Sequence, residues 1–246
     1  MRRFADLHLQ PSVKDSDQLN HMVSRASELG YRLVGITLPP NITQEKIRQL
    51  QDICKDAGID LVTRVDLTSK TPNQLLRELR HFRRKFETIS VVCTSKAVAR
   101  QAAKDRRVDL LSFPATSSRR RFFDYAEAEL ASNALSSLEV DMAPLLSLKS
   151  FSRIQLLSSL RKEVAIAKKF GVPVVISSGA TNVYLMRGPY EYAALASLFD
   201  MAVSFALRAL SETPLNIVKR NREKLSPNFI APGIRIVRRK RNCPDT

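Results

Sequence analysis

Residues 108–148 read V-D-L-L-S-F-P-A-T-S-S-R-R-R-F-F-D-Y-A-E-A-E-L-A-S-N-A-L-S-S-L-E-V-D-M-A-P-L-L-S-L. Two short apolar runs, Val108–Phe113 and Leu138–Met142, stop at or just before a proline, which is typical of buried strands. Between them lie three arginines, Arg119–Arg121, and a helical pattern. One apolar stripe of that helix is formed by Phe122, Ala126, Leu130 and Ala134. The segment predicts a strand, a basic loop, a helix and a second strand, joined as a parallel crossover.

The rest of the chain repeats this alternation of strand and helix. Further strands are predicted at Phe4–Leu9, Leu33–Leu38, Leu61–Leu67, Ile89–Cys93 and Val174–Ser177. Repeated βα units form either an open doubly wound sheet or a closed barrel, and no G-x-G-x-x-G or P-loop motif favours the former. We therefore predict an α/β fold, a TIM-like (β/α) barrel with about seven recognisable strands and an irregular or missing eighth.

Helical patterns also continue beyond the last predicted strand. One begins at Gly188-Pro189 and reaches about Leu210, and another begins at Pro214 and reaches about Lys224. They predict extra C-terminal helices. We expect a single barrel domain over residues 1–226 and a basic C-terminal arm over residues 227–246, since no linker-like change in composition occurs earlier.

The composition indicates a folded protein with an anionic partner. Apolar residues make up 44% of the 246, and 40 Lys and Arg oppose 24 Asp and Glu, giving a formal net charge of +16. Such an excess is usually compensated by nucleic acid, an anionic membrane or an acidic protein. The apolar runs are too short to cross a bilayer, and three widely spaced cysteines indicate reduced, intracellular thiols. Aromatic residues are only 7%, so RNA binding would depend on phosphates and shape.

Polar residues at the ends of predicted strands form a candidate metal site. Asp6 and His8 share a face of the first strand, Glu139 and Asp141 share a face of the sixth, and Asp66 ends the third. Converging at a barrel mouth, these groups could hold Mg²⁺, Mn²⁺ or Zn²⁺ for phosphoester hydrolysis. They could equally be polar strand ends paired within the protein. Ser177–Gly179 offers no Asp or His, so we expect no working metal site.

Clusters of cations predict an RNA-binding surface. The third helix, opened by Thr71-Pro72, directs Leu75 and Leu79 to the core and carries several cations against the single acid Glu78. Charge runs are often merely solvated, but dipole compensation needs only one or two such cations at a helix C-terminus. Arg119–Arg121 are placed at a helix start, where the dipole disfavours them. The predicted RNA-binding residues are Arg77, Arg80, Arg83, Arg84, Arg119, Arg120, Arg121, Lys162, Arg238 and Arg239.

Six ordered motifs together resemble one family. They are F-A-D-L-H at 4–8, D-L-L-S-F-P at 109–114, R-F-F-D-Y-A-E-A-E-L-A at 121–131, L-E-V-D-M-A-P-L-L at 138–146, V-V-I-S-S-G-A at 174–180 and N-R-E-K-L-S-P-N-F at 221–229. The chain is similar to the p30-type protein subunit of archaeal and eukaryotic ribonuclease P, also called ribonuclease P protein component 3. The resemblance implies a TIM-like barrel related to polymerase-and-histidinol-phosphatase metallohydrolases but kept as a non-catalytic subunit.

The resemblance also implies partners and a lost metal site. The RNA of such a ribonucleoprotein removes the 5′ leader of precursor tRNA and uses Mg²⁺, while the p30-type subunit pairs with a small Pop5-type subunit and works beside other ribonuclease P proteins. The metallohydrolases carry His-x-His on the first strand and Asp-x-His near the last. Here those places read Asp6-Leu7-His8 and Ser178-Gly179-Ala180. Asp6, His8, Glu139 and Asp141 would then be vestiges of a metal site, and the chain itself would bind no cofactor.

The sequence is compatible with three functions. The leading hypothesis is a non-catalytic, RNA-binding subunit of ribonuclease P that contacts precursor tRNA only indirectly and no membrane. The alternative is a stand-alone metal-dependent phosphoesterase that uses Asp6, His8, Asp66, Glu139 and Asp141. A third is an RNA-binding protein of another assembly. We expect a cytoplasmic location for an archaeal protein and a nuclear one for a eukaryotic protein.

Overall fold

Seven parallel strands form the centre of the structure, a computed structural model that describes residues 2–13, 15–115, 121–231 and 234–235. The strands are β1 (Phe4–Leu9), β2 (Tyr31–Thr37), β3 (Asp60–Leu67), β4 (Thr88–Val92), β5 (Leu110–Ser112), β6 (Ser137–Asp141) and β7 (Val174–Ser177). They pair in chain order, each with the next. All seven predicted strands are therefore present, and the prediction of a TIM-like barrel is confirmed.

The barrel closes between β7 and β1 without an eighth strand in the described residues. At the carboxyl ends of the strands, Leu9 pairs with Ala180, and the backbone N–H of Gly179 donates to the carbonyl of His8 at 2.9 Å. At the opposite end, the N–H of Ala5 donates to the carbonyl of Leu210 at 2.9 Å. The junction between two helices at Leu210 thus takes the place of the missing eighth strand at this end.

Helices connect the strands and cover the barrel. They are α1 (Ser16–Glu28), α2 (Gln44–Asp56), α3 (Pro72–Phe82), α4 (Lys96–Ala103), α5 (Tyr125–Ala134), α6 (Ala143–Ser147), α7 (Ser150–Phe170), α8 (Pro189–Ala196), α9 (Val203–Ala209) and α10 (Glu212–Leu225). The side chains of Thr43 and Thr71 cap α2 and α3. Within the described ranges, none of these helices combines the length and apolar character needed to cross a membrane.

Two predicted helix boundaries are wrong. The helix expected over residues 188–210 is interrupted, because Asp200 adopts a left-handed conformation (φ 60°) between a 3₁₀ turn at Ser197–Phe199 and α9. The helix expected from Phe122 begins only at Tyr125, where the side chain of Asp124 accepts the N–H of Glu127. Arg121 therefore precedes the helix and does not lie in its first turn.

Helix α10 closes the end of the barrel at which the strands begin. Ile217 and Val218 pack with Ala5, Leu33, Val62, Leu110 and Val175 in a small core inside the barrel.

Arginines on the same helix pair with acids at the strand starts. Arg222 bridges Asp60 at 2.8 Å and Glu87 at 2.5 Å, and Arg220 pairs with Asp109 at 2.9 Å. The chain then forms a short antiparallel pair, Phe229–Ala231 with Ile234–Arg235. The predicted division at residue 226 stays a prediction.

Candidate functional site

The carboxyl-end mouth of the barrel is organised around Arg64 of β3. Its side chain has no exposed surface and forms two parallel bonds with Glu139 of β6, at 2.5 and 2.7 Å. Its Nε donates to Asp66 at 2.7 Å, and one terminal nitrogen also donates to the carbonyl of Leu7 at 2.9 Å. Bidentate pairing of this kind is the strongest geometry available to arginine. The guanidinium thus joins β1, β3 and β6 across the barrel.

Two hydroxyl groups complete the environment of Glu139. Ser177 donates to one carboxylate oxygen at 2.8 Å, and Ser90 donates to the other at 3.3 Å. Each oxygen therefore accepts from the guanidinium and from one serine. A buried charge needs a partner and satisfied hydrogen bonds to be tolerated, and Glu139 has both.

His8 lies between two other carboxylates of the mouth. Its Nδ1 is 2.7 Å from Asp141 and its Nε2 is 3.2 Å from Asp66. Burial and the nearby Arg64 act to lower the pKa of His8, but the carboxylates of Asp141 and Asp66 outweigh them and raise it to about 10. The ring is then an imidazolium at neutral pH, and its Nδ1 donates to Asp141.

Asp66 and Asp6 differ in their environments. Asp66 is buried, which raises its pKa, but the charges of Arg64 and His8 prevail and hold that pKa well below its usual range. Burial raises the pKa of Asp6, although its Oδ1 accepts the N–H groups of His8 and Ser178. Its Oδ2 is buried and has no hydrogen-bond partner among the described residues. Asp6 was predicted to share the face of His8, but its carboxylate accepts from the backbone of Ser178 at the β1–β7 junction and is not in the donor group of His8, Glu139 and Asp141.

The run Ser177–Ala180 also serves that junction and makes the predicted turn. Ser178 donates through its hydroxyl to the carbonyl of His8 at 3.0 Å. Gly179 has φ +60°, and a Cβ built there would lie 2.9 Å from the side chain of Asp141. Only glycine fits both the conformation and the space.

A cavity of about 210 Å³ opens over the mouth, between His8, Asp141 and the loop that follows β5. Arg121 borders it and forms a second buried ion pair, with two bonds to Glu163 of α7 at 2.5 and 2.7 Å. It also donates to the carbonyl of Phe113 at 3.0 Å. Both side chains of the pair are only 5% exposed. Arg121 therefore joins the β5 loop to α7.

The arrangement of the mouth does not fit a resident divalent metal. His8, Glu139 and Asp141 each bring one donor atom to within 4.8 Å of the others, as metal ligands do. However, Arg64 donates to both oxygens of Glu139, and an imidazolium has no lone pair for a metal. Of the donor set predicted from the sequence, His8, Glu139 and Asp141 converge, with Asp66 beside His8, but Asp6 is not among them. The negative charge of the mouth is compensated by the chain itself.

Three exposed arginines, two on α3 and one in the turn that follows it, form the other candidate site. Arg77, Arg80 and Arg84, here called the α3 basic face, are exposed and have no hydrogen bond or ion pair with any residue in the described part of the chain. Lys162 on α7 is likewise exposed and unpaired there. Arg83 differs, because it pairs with buried Asp109 at 2.6 Å and donates to two backbone carbonyls.

The predicted RNA-binding set stays a prediction, and the placements show which of its members already have partners in the protein. The guanidiniums of Arg83 and Arg121 are engaged inside the protein, each with a buried acid from another element, which argues against a role on RNA. Arg119, Arg120, Arg238 and Arg239 lie outside the described residues. The α3 basic face and Lys162 stay predictions.

Further cations gather beside the α3 basic face, at the end of the barrel covered by α10. Burial lowers the pKa of Lys224, and the positive charges of Arg220, Arg83 and Arg106 lower it further, against the negative charge of Asp109. Lys104 and Arg106 are exposed between α4 and β5. Crowding of like charges destabilises an isolated protein and favours binding of an anion. This end of the barrel lies opposite the mouth.

Comparison with known sequences decides the family. A family profile described as "RNase P subunit p30" matches residues 3–226 of the chain. This chain belongs to the RNase P subunit p30 family. Ribonuclease P protein component 3 of Methanococcoides burtonii is 28% identical over 235 residues, which cover 96% of this chain and 94% of the relative. The protein of the same name from Methanothermobacter thermautotrophicus is 28% identical over 243 residues, covering 96% of each chain.

Solved structures agree with the p30 family fold. A chain in a structure of archaeal ribonuclease P with mature tRNA superimposes with a TM-score of 0.83 at 22% identity, covering 97% of this chain and 100% of that one. A putative prolidase from Bifidobacterium longum gives a TM-score of 0.54 at 12% identity, covering 90% and 70%. Both similarities are similarities of the barrel fold.

Arg64 is the residue of this p30-family site that sequence reasoning missed. It lies in L-V-T-R-V-D-L, where a charged residue interrupts an apolar strand two positions before Asp66. Residues two apart on a strand face the same side, so Arg64 shares the interior face of Asp66. A fully charged side chain in a buried strand is the signal that could have identified it.

Proposed function

We propose that this chain is a non-catalytic, RNA-binding protein subunit of ribonuclease P, which supports the RNA that removes the 5′ leader from precursor tRNA. The observation that carries the proposal is the p30 family match over residues 3–226. The chain whose fold matches along its full length is part of a ribonuclease P structure with mature tRNA. RNA and other protein subunits are the partners that this assembly implies.

The surface chemistry favours RNA over an acidic protein. The α3 basic face offers three guanidiniums that have no partner in the described part of the chain. The cations around Lys224 extend this basic surface, and Asp109 is the acid that lies among them. Arginine is suited to phosphate because its planar donors can bind two oxygens at once. RNA phosphates would provide the negative charge that this surface lacks.

The barrel mouth disfavours the alternative, a stand-alone phosphoesterase. Hydrolysis by a bound metal needs open coordination positions and ligands with free lone pairs. In the mouth, both oxygens of Glu139 accept hydrogen bonds from Arg64. We therefore propose that the chain binds no catalytic metal and that Mg²⁺ is used by the RNA.

Partner and location are further parts of the proposal. We propose that the chain pairs with a small Pop5-type subunit, as the family resemblance implies, and that the pair supports the catalytic domain of the RNA. We also propose a cytoplasmic location, the compartment of tRNA maturation in a cell without a nucleus.

Purification of the affinity-tagged chain from its own cells, followed by sequencing of the bound RNA, tests this function. We expect ribonuclease P RNA to be the enriched species, together with the other ribonuclease P proteins. A chain carrying Arg77→Gln, Arg80→Gln and Arg84→Gln serves as the matched variant and should recover less of that RNA. Enrichment of a different RNA would assign the chain to another assembly, and recovery of no RNA would contradict the proposal.

A further inference from the structure

We infer that a groove beside α1 receives one unpaired nucleotide of RNA, with its base stacked on Tyr184 and its phosphate bound by Arg187. The groove lies between α1 and the 3₁₀ turn Val183–Leu185, which follows β7. It shares no lining residue with the α3 basic face or with the cavity over the mouth. The inference rests on the RNA-binding function proposed above, and it adds a second surface and a kind of ligand to that function.

The side chain of Tyr184 is an exposed aromatic ring without a partner among the described residues. It is 83% exposed, and it makes no hydrogen bond or ring contact in that part of the chain. The other two exposed tyrosines do have ring partners. Tyr125 packs against Phe170 with ring centroids 5.6 Å apart, and Tyr190 meets Phe4 edge to face at 5.4 Å. An uncovered aromatic face is what base stacking requires.

Arg187 brings a guanidinium to the same groove. Its Nη1 donates to the carbonyl of Tyr184 at 2.8 Å and to that of Met186 at 2.7 Å, which holds the group within the turn. Its Nε and Nη2 have no hydrogen-bond partner in the residues that the structure describes. These two donors lie on one edge of the guanidinium, and such an edge can bind two oxygens of a phosphate. A guanidinium that the backbone already holds loses little freedom on binding.

The groove has the size and the charge for one nucleotide. Its volume is about 490 Å³, within the range of small-ligand sites. His21, Ser24, Arg25 and Glu28 line it from one stripe of α1. Because Arg25 pairs with Glu28 at 3.0 Å, the acid is compensated, and the charge of Arg187 is left for an anion.

The apolar lining is too slight for a protein partner. Met186 is buried and Val183 is half-buried, so the ring of Tyr184 is the main apolar surface of the groove. The core of a protein interface is built from several apolar side chains, whereas a base needs one aromatic face. Since bases inside a duplex are stacked on both faces, the ligand is an unpaired nucleotide.

The test uses fluorescence, because the chain contains no tryptophan. Tyr184→Trp places a single fluorophore in the groove of the full-length protein, which is titrated with ribonuclease P RNA, with oligouridylate and with a short RNA duplex. We expect the first two to quench the fluorescence and the duplex to leave it unchanged. Tyr125→Trp is the matched control, because this side chain is 57% exposed but packs against Phe170, so its fluorescence should change little with any of them.

Filter binding measures the contribution of the ring. Tyr184→Ala should bind oligouridylate about 5–100-fold more weakly than the wild type, as expected for removal of one stacking side chain. The conservative variant Tyr184→Phe keeps the ring and should keep the affinity.

Three results in a chain that binds ribonuclease P RNA would each overturn the inference and leave the proposed function standing. They are wild-type affinity in Tyr184→Ala, equal quenching of the two tryptophans, and quenching by the duplex as strong as by oligouridylate. A wild-type chain that binds neither ribonuclease P RNA nor oligouridylate would contradict both the proposed function and the inference.

Discussion

Neutralising the α3 basic face should weaken RNA binding in a salt-dependent way. The change is Arg77→Gln with Arg80→Gln and Arg84→Gln, three exposed arginines without a partner in the described part of the chain. Because no internal ion pair is broken, the loss should fall on binding and not on folding. The assay is filter binding to ribonuclease P RNA over a series of KCl concentrations.

The magnitude follows from counterion release. Each phosphate contact contributes about 0.7–0.9 to the slope of log K against log salt, so three contacts contribute roughly 2–3 units. At about 0.1 M salt the same contacts are worth roughly 100–500-fold in affinity. The thermal unfolding of the triple variant should match that of the wild type.

A control on α2 separates a binding face from net charge. Lys46→Gln, Arg48→Gln and Lys55→Gln remove the same charge from a helix on which Glu45, Asp52 and Asp56 are interspersed with the cations. We expect this control to change the slope by less than about one unit. Equal losses in both variants would show that the net charge of +16 alone drives binding. An unchanged slope in the α3 variant would refute the assignment of that face.

Three further predictions concern the stability of the barrel, measured by urea unfolding. Arg121→Met leaves Glu163 buried and unpaired and should cost roughly 3–5 kcal/mol, much of which a second change, Glu163→Leu, should restore. Burial raises the pKa of Glu127 from 4.5 to about 7, so the folded protein holds this proton more tightly. The free energy of unfolding should therefore fall between about pH 4.5 and 7, by up to about 3 kcal/mol, and Glu127→Gln should remove the fall. Gly179→Ala should cost more than Gly58→Ala, because both residues have positive φ but a Cβ meets a neighbour only at Gly179.

Each of these predictions has a contrary result. A loss below about 1 kcal/mol in Arg121→Met would mean that the Glu163 pair contributes little to the fold. A pH profile that is the same in wild type and Glu127→Gln would exclude the raised pKa. Equal costs at the two glycines, each about 1–2 kcal/mol, would mean that Asp141 moves aside without strain.

Much of the fold could be predicted from local sequence patterns. The apolar runs and proline stops of residues 108–148 identify β5 and β6, and repetition of that pattern identifies the other five strands. Such signals are local, because strand and helix periods are read within a few residues. The break at Asp200 was missed, since the apolar pattern runs through it and only the backbone conformation ends the helix.

The pairing of charges could not be predicted in the same way. Arg64 and Glu139 are 75 residues apart, and Arg121 and Glu163 are 42 apart. Each arginine meets its acid only through the closure of the barrel or the packing of a helix. A run of arginines in the sequence therefore shows how much positive charge is present, but only the fold shows which guanidiniums are already engaged, as those of Arg83 and Arg121 are.

Cleavage of precursor tRNA tests the central claim most directly. Ribonuclease P RNA is assayed at low Mg²⁺ alone, with the Pop5-type subunit, and with that subunit plus this chain, beside this chain without RNA. We expect no cleavage by the chain alone and a rise in the cleavage rate only when RNA and both proteins are combined. The α3 triple variant should lose much of that rise. Cleavage by the chain without RNA, or no gain on adding it to the RNA and the Pop5-type subunit, would contradict the account.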